Sequence, residues 1–196
     1  MPQHAYLPRE QNTIWDAQDV SHGLFEDQWK AGQIPMPHGS RVLELGCAEA
    51  DWLTPMKRLR PDLHLTGVDQ RRHDPRPGAD VLIQGNLLDP DLFPPESFDV
   101  IVACSVICHV GISRYGDPVD PDGDTKALAN CRRWLTPEGL LYLDVPYRPT
   151  GRSTPFRAYN EPDLQRRVIG DWTVRHRVVV ESSHPDGPYL VLVLTP

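Results

Sequence analysis

Four groups of residues in this chain have the types and spacing to do chemistry. The first is Glu44-Leu45-Gly46-Cys47-Ala48-Glu49-Ala50-Asp51, where a glycine and small residues are crowded by carboxylates. The second, Asp69-Gln70, follows about 20 residues later. The third is Asn86-Leu87, and the fourth runs from Cys104 to Asp124 through His109, Arg114, Tyr115, Asp117, Asp120 and Asp122. A turn that takes a pyrophosphate on its amides and a helix N-terminus reads G-x-G-x-x-G. Counted from Gly46, the other two glycine positions hold Ala48 and Asp51, and Glu49 lies between them. A carboxylate beside a phosphate costs roughly 4 kcal/mol per close pair at an effective dielectric near 20. The turn therefore suits a cationic ligand without phosphate, and an acid at the spacing of Asp69 suits ribose hydroxyls.

S-adenosylmethionine carries a sulfonium and an ammonium and no phosphate. It meets these conditions, and a nicotinamide dinucleotide does not. Asn86 both donates and accepts, which matches the edge of adenine, although Asn is also a turn former in its own right.

These groups need strands that end at one edge. Arg41–Leu45 has strand character and runs into the Gly46 turn, after which Trp52, Met56 and Leu59 recur at helical spacing. Thr54-Pro55 has the form of an N-cap and first helical residue, so the helix is expected to start there. Strands are expected at Leu63–Asp69, at Ala79–Gln84, and at Phe98–Cys104, whose continuous apolar run marks a central strand. Asp122 or Asp124 caps a helix with Ala127, Leu128, Cys131, Trp134 and Leu135 inward, and Pro137-Glu138-Gly139 turns into a strand over Leu140–Val145. Asn160 and Asp163 open a short helix ended by Gly170. Finally Trp172, Val174, His176, Val178 and Val180 alternate with polar residues and pair with Tyr189, Val191 and Val193 as an antiparallel hairpin. The fold class is α/β: a doubly wound, Rossmann-like, seven-stranded sheet with an antiparallel C-terminal hairpin in a single domain. Residues 1–39 form an N-terminal helical extension, from Asn12 to Trp29, that either covers the ligand crevice as a lid or packs on the sheet's flank. Residues 40–196 form the domain itself.

The length of 196 residues suits one core. With 39% hydrophobic and 24% charged residues and a net charge of −7, the chain has the composition of a globular protein. Its arginine doublets, Arg71-Arg72, Arg132-Arg133 and Arg166-Arg167, are dispersed among acids, which disfavours nucleic acid as a partner. No apolar stretch reaches membrane-spanning length and no signal-peptide pattern opens the chain. The four cysteines form no C-x-x-C pair, as expected of reduced thiols in the cytoplasm rather than of a zinc site.

The sequence resembles class I S-adenosylmethionine-dependent methyltransferases over about residues 40–195. The likeness rests on Leu43-Glu44-Leu45-Gly46-Cys47, Gly67-Val68-Asp69, Phe98-Asp99-Val100-Ile101 and Leu135-Thr136-Pro137-Glu138-Gly139. A closer likeness, to a bacterial branch known only as a domain of unknown function, is carried by Ser105–Gly111 and Arg114–Asp124. The resemblance implies that Glu44, Gly46, Cys47 and Ala48 shape the methionine pocket, that Asp69 and Gln70 border the ribose, that Asn86 and Leu87 border the adenine, and that the Cys104 backbone accepts from the cofactor's ammonium. The chain departs from the pattern at Ala48 and Ala50, where glycines are usual, and at Cys108, where Glu is usual before His.

Methyl transfer is an in-line displacement at a sulfonium carbon, so the protein chiefly positions reactants in a dry pocket. His109, just past the central strand, is the candidate base for an oxygen or nitrogen nucleophile, and its alternative role is to order the loop. Arg114, Tyr115 and Asp117 offer a wall for a polar substrate, closed by Arg157 and Tyr159. A proline-ordered loop and, less readily, a divalent-metal site are the other readings of this acidic stretch. No metal is assigned. The expectation is a methyltransferase that acts on a small polar molecule, a sugar or natural product, by O- or N-methylation. The alternatives are a catalytically silent S-adenosylmethionine-binding partner protein and a dehydrogenase. DNA adenine methylation is disfavoured, because Cys104-Ser105-Val106-Ile107 replaces an Asn/Asp-Pro-Pro-aromatic step. The oligomeric state stays open, with a homodimer as one option.

Overall fold

The computed structural model describes residues 22–23, 25–26, 29–30, 32–48, 52–72, 75, 77–148, 156–181 and 188–196. Five parallel strands and an antiparallel pair build one sheet: β1 (Arg41–Leu45), β2 (His64–Asp69), β3 (Val81–Gln84), β4 (Phe98–Ala103), β5 (Leu135–Pro146), β6 (Thr173–Val180) and β7 (Tyr189–Thr195). Their order is β3-β2-β1-β4-β5-β7-β6. β1 pairs in parallel with both β2 and β4, and β7 runs antiparallel to β5 and β6. The chain winds outward from β1 in both directions, so the crevice beyond the carboxyl ends of β1 and β4 is the topological switch point where such sheets bind ligands.

Strand alternation assigns the two faces. Leu43, Leu45, Ile101 and Ala103 join Leu128, Cys131 and Trp134 of helix α2 (Gly123–Trp134) in one core cluster. Val42, Val100, Val102 and Tyr142 join Leu53 and Met56 of helix α1 (Leu53–Leu59) in the other. Residues 22, 23, 25, 26, 29 and 30 are helical, and Phe25 is fully buried edge-on against Trp52 and Tyr142, which seats this stretch on the α1 face. Asn12, Ile14 and Leu24 lie outside the described residues.

Local expectations hold with the following differences, to which the N-terminus of α2 adds one more: Asp122 is its Ncap and makes no side-chain cap bond. Helix α1 begins at Leu53, one residue before Thr54-Pro55, and the Thr54 hydroxyl accepts from the Gly78 amide instead of capping the helix. Leu59 is 56% exposed, because a helix of seven residues ends before a second inward turn is complete. Leu135 opens β5 rather than closing α2. On β6 the register slips between Val174 and His176, and the irregularity leaves Val174 on the solvent side. Asn160 caps the last helical segment as expected, accepting from the Asp163 amide, and Gly170 ends it with φ of 45°.

Gly67 in β2 is a close crossing between the sheet and helix α1. A Cβ there would lie 2.8 Å from Cys47 Sγ, Leu53 Cδ1 and Leu82 Cδ2. Gly67→Ala is expected to lose about 1–3 kcal/mol, read from urea unfolding midpoints, because three packed side chains must move at once.

Candidate active site

At the end of β1 the chain doubles back over β2. Gly46 takes φ of 71°, and its amide and that of Cys47 both donate to the Val68 carbonyl, at 2.8 and 3.3 Å. A Cβ on Gly46 would meet Val106 Cγ2 at 2.6 Å, so backbone conformation and space both require glycine here. The next amide, Ala48, donates to Asp69 Oδ2 at 3.2 Å. The first turn and the acid of the second strand are thus one bonded unit. Glu44, 1% exposed, meets His22 Nε2 at 2.8 Å through Oε1, and the His22 ring stacks on Trp52. Glu49 and Asp51 lie outside the described residues.

Asp69 is 5% exposed and also accepts from Arg71, through its amide and Nε on Oδ1 and through Nη2 on Oδ2. Gln70 reaches across to the Tyr115 carbonyl at 3.3 Å and to Asp117 Oδ1 at 3.5 Å. Asn86 uses its side-chain oxygen in a turn, accepting from the Leu88 amide at 2.9 Å, which is the turn-forming role weighed for it. Leu87 is buried beside it, and its carbonyl accepts from Asn130.

Beyond β4, Cys104 is buried between Asp144 and Glu44. Desolvation first, and then those two carboxylates, push its thiol well above the ordinary range. Ser105 adopts a left-handed φ of 53°, and Asp144 holds it there by accepting from both its amide and its hydroxyl at 3.0 Å. A buried acid bracing a strained residue at a strand end is a site feature that the sequence reading passed over. The signal was visible as the one acid in the apolar run Leu140–Val145.

A 3₁₀ turn, Ile107–His109, leads into the acidic loop. His109 packs edge-on against Tyr115 and Phe156, and its Nδ1 is buried with no hydrogen-bond partner among the described residues. Burial, and after it Arg114, lower the pKa of the imidazole to about 3, with Arg157 and Arg71 adding to the effect and Asp117 opposing it. His109 is therefore neutral throughout the physiological range.

The loop acids serve different partners. Asp117 gathers the amides of Gly111, Ser113 and Tyr115. Asp120 pairs with Lys126 and accepts from the Asp122 amide. Asp124 does not cap α2 from the Ncap position. It sits fully buried in the first turn, accepts from the Tyr159 hydroxyl at 2.9 Å and pairs with Arg167. Arg157 donates to the carbonyls of Val110 and Asp120. Arg157 and Tyr159, read from sequence as closing the substrate pocket, are buried and tie the loop to the stretch before the last helical segment, while Arg167 ties it to the segment itself. Tyr115 accepts from Gln70 at its carbonyl, and two guanidinium groups lie over its ring, Arg71 at 4.2 Å and Arg114 at 5.7 Å from the centroid. Arg71 was not among the expected site residues and had counted only as one of the dispersed arginine doublets; Asp124 had counted as a candidate cap and as one acid of the loop.

Among the described residues no helix is long and apolar enough to cross a membrane. Residues 94–154, which span β4, the acidic loop, α2 and β5, match a family described as a Caenorhabditis protein of unknown function, DUF268. This match covers less than a third of the chain and does not single out a bacterial branch. A methyltransferase of Strobilurus tenacellus, str3, is 30% identical over 135 residues, which is 66% of this chain and 44% of that protein. This chain therefore spans less than half the length of that relative. Two solved structures are similar throughout. One is the N-methyltransferase NodS from Bradyrhizobium japonicum with S-adenosylhomocysteine, at TM-score 0.66 and 19% identity over 98% of this chain and 93% of that one. The other is a 1,6-didemethyltoxoflavin N1-methyltransferase from Burkholderia thailandensis with its substrate and S-adenosylhomocysteine, at TM-score 0.65 and 18% identity over 95% and 81%. The chain has the class I methyltransferase fold.

Proposed function

We propose that this chain is an S-adenosylmethionine-dependent methyltransferase that methylates a small polar molecule on oxygen or nitrogen. One observation carries the reading: at the switch point of this fold, the Gly46 turn is hydrogen-bonded through Ala48 to Asp69. A carboxylate at the ribose position and a buried carboxylate, Glu44, at the methionine position then flank one crevice. The donor set fits the cofactor: Glu44 is a buried acid at the amino-acid end, Asp69, held by Ala48 and Arg71, is the acid at the ribose end, and the Gly46 turn brings no cationic side chain of its own to a phosphate. When bound, the cofactor supplies an electrophilic methyl group.

The chain's own residues do the rest. Asp69 receives hydroxyls, and Glu44 and the Cys104 backbone bound the amino-acid end. Asp144 fixes the bend at Ser105 and with it the direction in which the chain delivers His109. His109, neutral and weakly basic, aligns the acceptor by taking a hydrogen bond from its nucleophile, a role in positioning more than in strong proton abstraction. Tyr115 and Arg114 wall the acceptor side, and the leading helical segment, seated on the α1 face, brings His22 to Glu44 at the amino-acid end. Calorimetric titration with S-adenosylhomocysteine and with NADH tests the assignment: binding of the first and not the second is expected, and the reverse would end it. Asp69→Ala should weaken S-adenosylhomocysteine binding about 10- to 100-fold, the equivalent of roughly 1.5–3 kcal/mol of charge-assisted bonds. An unchanged affinity would remove Asp69 from the site.

A further inference from the structure

Strand alternation puts Glu44 on the same face of β1 as Val42, which packs in one cluster with Phe25, Trp52, Leu53 and Met56. Glu44 is buried near the carboxyl end of β1, in register with Gly67 of β2 and Val102 of β4. A carboxylate taken out of water must be met by donors, and those come from whatever the fold packs on its own face. His22 supplies one of them. Its Nε2 lies 2.8 Å from Glu44 Oε1, and because a carboxylate only accepts, that ring nitrogen carries the proton in this contact.

The imidazole is itself held firmly. It stacks on Trp52, the residue that precedes α1, with 5.8 Å between ring centroids and planes 7° apart. Phe25 stands edge-on against Trp52 at 5.1 Å and against Tyr142 of β5 at 5.2 Å. His22, Phe25 and Trp29, at i, i+3 and i+7, form the inward side of the leading helical residues, and Glu26 pairs with Lys30 on the outer side. A ring anchored in this way fixes the plane of the carboxylate to which it donates. The charge of Glu44 also pushes up the thiol of Cys104, so this acid stands close to the β4 end whose backbone bounds the amino-acid part of the ligand.

We propose that His22 is a positioning residue of the methyl-donor site: by donating to Glu44 it holds that carboxylate in the orientation that receives the ammonium of S-adenosylmethionine. The inference rests on the cofactor reading given above and adds to it a residue from before the 40–196 domain. His22 acts through Glu44, and therefore only on ligands that carry the amino-acid end.

Two ligands separate this role from general support of the fold. S-adenosylhomocysteine and 5′-methylthioadenosine share the adenosine and the thioether, and only the first has the amino-acid end. By calorimetry, His22→Ala is expected to weaken S-adenosylhomocysteine binding about tenfold, the size of one hydrogen bond to a charged group, and to leave 5′-methylthioadenosine unchanged. His22→Gln, whose amide still donates, should recover part of the loss. In a Glu44→Gln background, where no charge is left to orient, the same His22→Ala change should cost less than about twofold. An equal loss for both ligands would make His22 a support of the crevice as a whole. No loss, or a full loss in the Glu44→Gln background, would mean that it does not act through Glu44. Each of these results overturns the proposal and leaves the cofactor assignment standing. Failure of the parent chain to bind either compound would overturn both.

Discussion

Asp124→Ala is expected to destabilise the protein by about 3 kcal/mol, the largest stability loss that any single side chain of the acidic loop should cause. Asp124 has no solvent exposure and holds three groups at once: the Tyr159 hydroxyl at 2.9 Å, Arg167 through both Nε and Nη2, and Arg157 Nε at 3.8 Å. Removing it takes the buried carboxylate from Arg167, which keeps Asp122 and the Pro121 carbonyl, and from Arg157, which keeps backbone carbonyls. It also leaves unpaired a buried phenol whose pKa burial and Asp124 both raise well above the ordinary value. Arg167 keeps some access to water and recovers part of its hydration, which places the cost at the lower end of that known for broken buried pairs. Urea unfolding of Asp124→Ala beside Asp124→Asn measures it, with Asn expected to lose less because it still accepts from Tyr159. Because the clamp joins residues 120–124 to 157–167, the loss should come with faster amide exchange in the loop around Tyr115. A midpoint like that of the parent chain would mean that the network contributes nothing net.

His109→Ala should lower turnover about 10²-fold while leaving affinity for S-adenosylhomocysteine unchanged. The neutral imidazole supplies alignment, and the variant removes it without touching Glu44, Asp69 or the Gly46 turn. Turnover in the parent chain should not fall near pH 6.5, where an ordinary histidine protonates, because Arg114, Arg157 and Arg71 together with burial keep His109 neutral down to about pH 3.

The same shift has a thermodynamic sign. Between pH 6.5 and about 3 the unfolded chain binds a proton at this position and the folded chain does not. Stability therefore rises with pH across that window and is lost as pH falls, by up to about 1.4 kcal/mol per pH unit for this one group. His109→Asn should flatten the slope by one proton, measured as urea midpoints from pH 4 to 7. If the slope is unchanged and turnover survives, His109 neither titrates in this way nor serves the reaction.

The acid in the first turn, the acid at the end of the second strand and the uninterrupted apolar run of β4 are local patterns, and local patterns determined a great deal. Period-two and helical spacing set the strands and α2. The crowding of carboxylates at Gly46 argued against a dinucleotide, and chain order then implied which strand ends share an edge. A single chain order does not report which polar side chains have already met one another. Asp124 reads as a cap and is a buried anchor; Tyr159 and Arg157 read as pocket residues and are clamps; Asn86 spends its oxygen on its own turn. Arg71 reads as surface charge and occupies Asp69, and Asp144, an acid inside an apolar strand, braces the bend at Ser105. The reason is physical. Secondary structure answers to the apolar period of the chain, whereas a buried charge must find its partner wherever the fold brings one within about 3 Å, two residues away for Asp69 and Arg71 and 43 for Asp124 and Arg167.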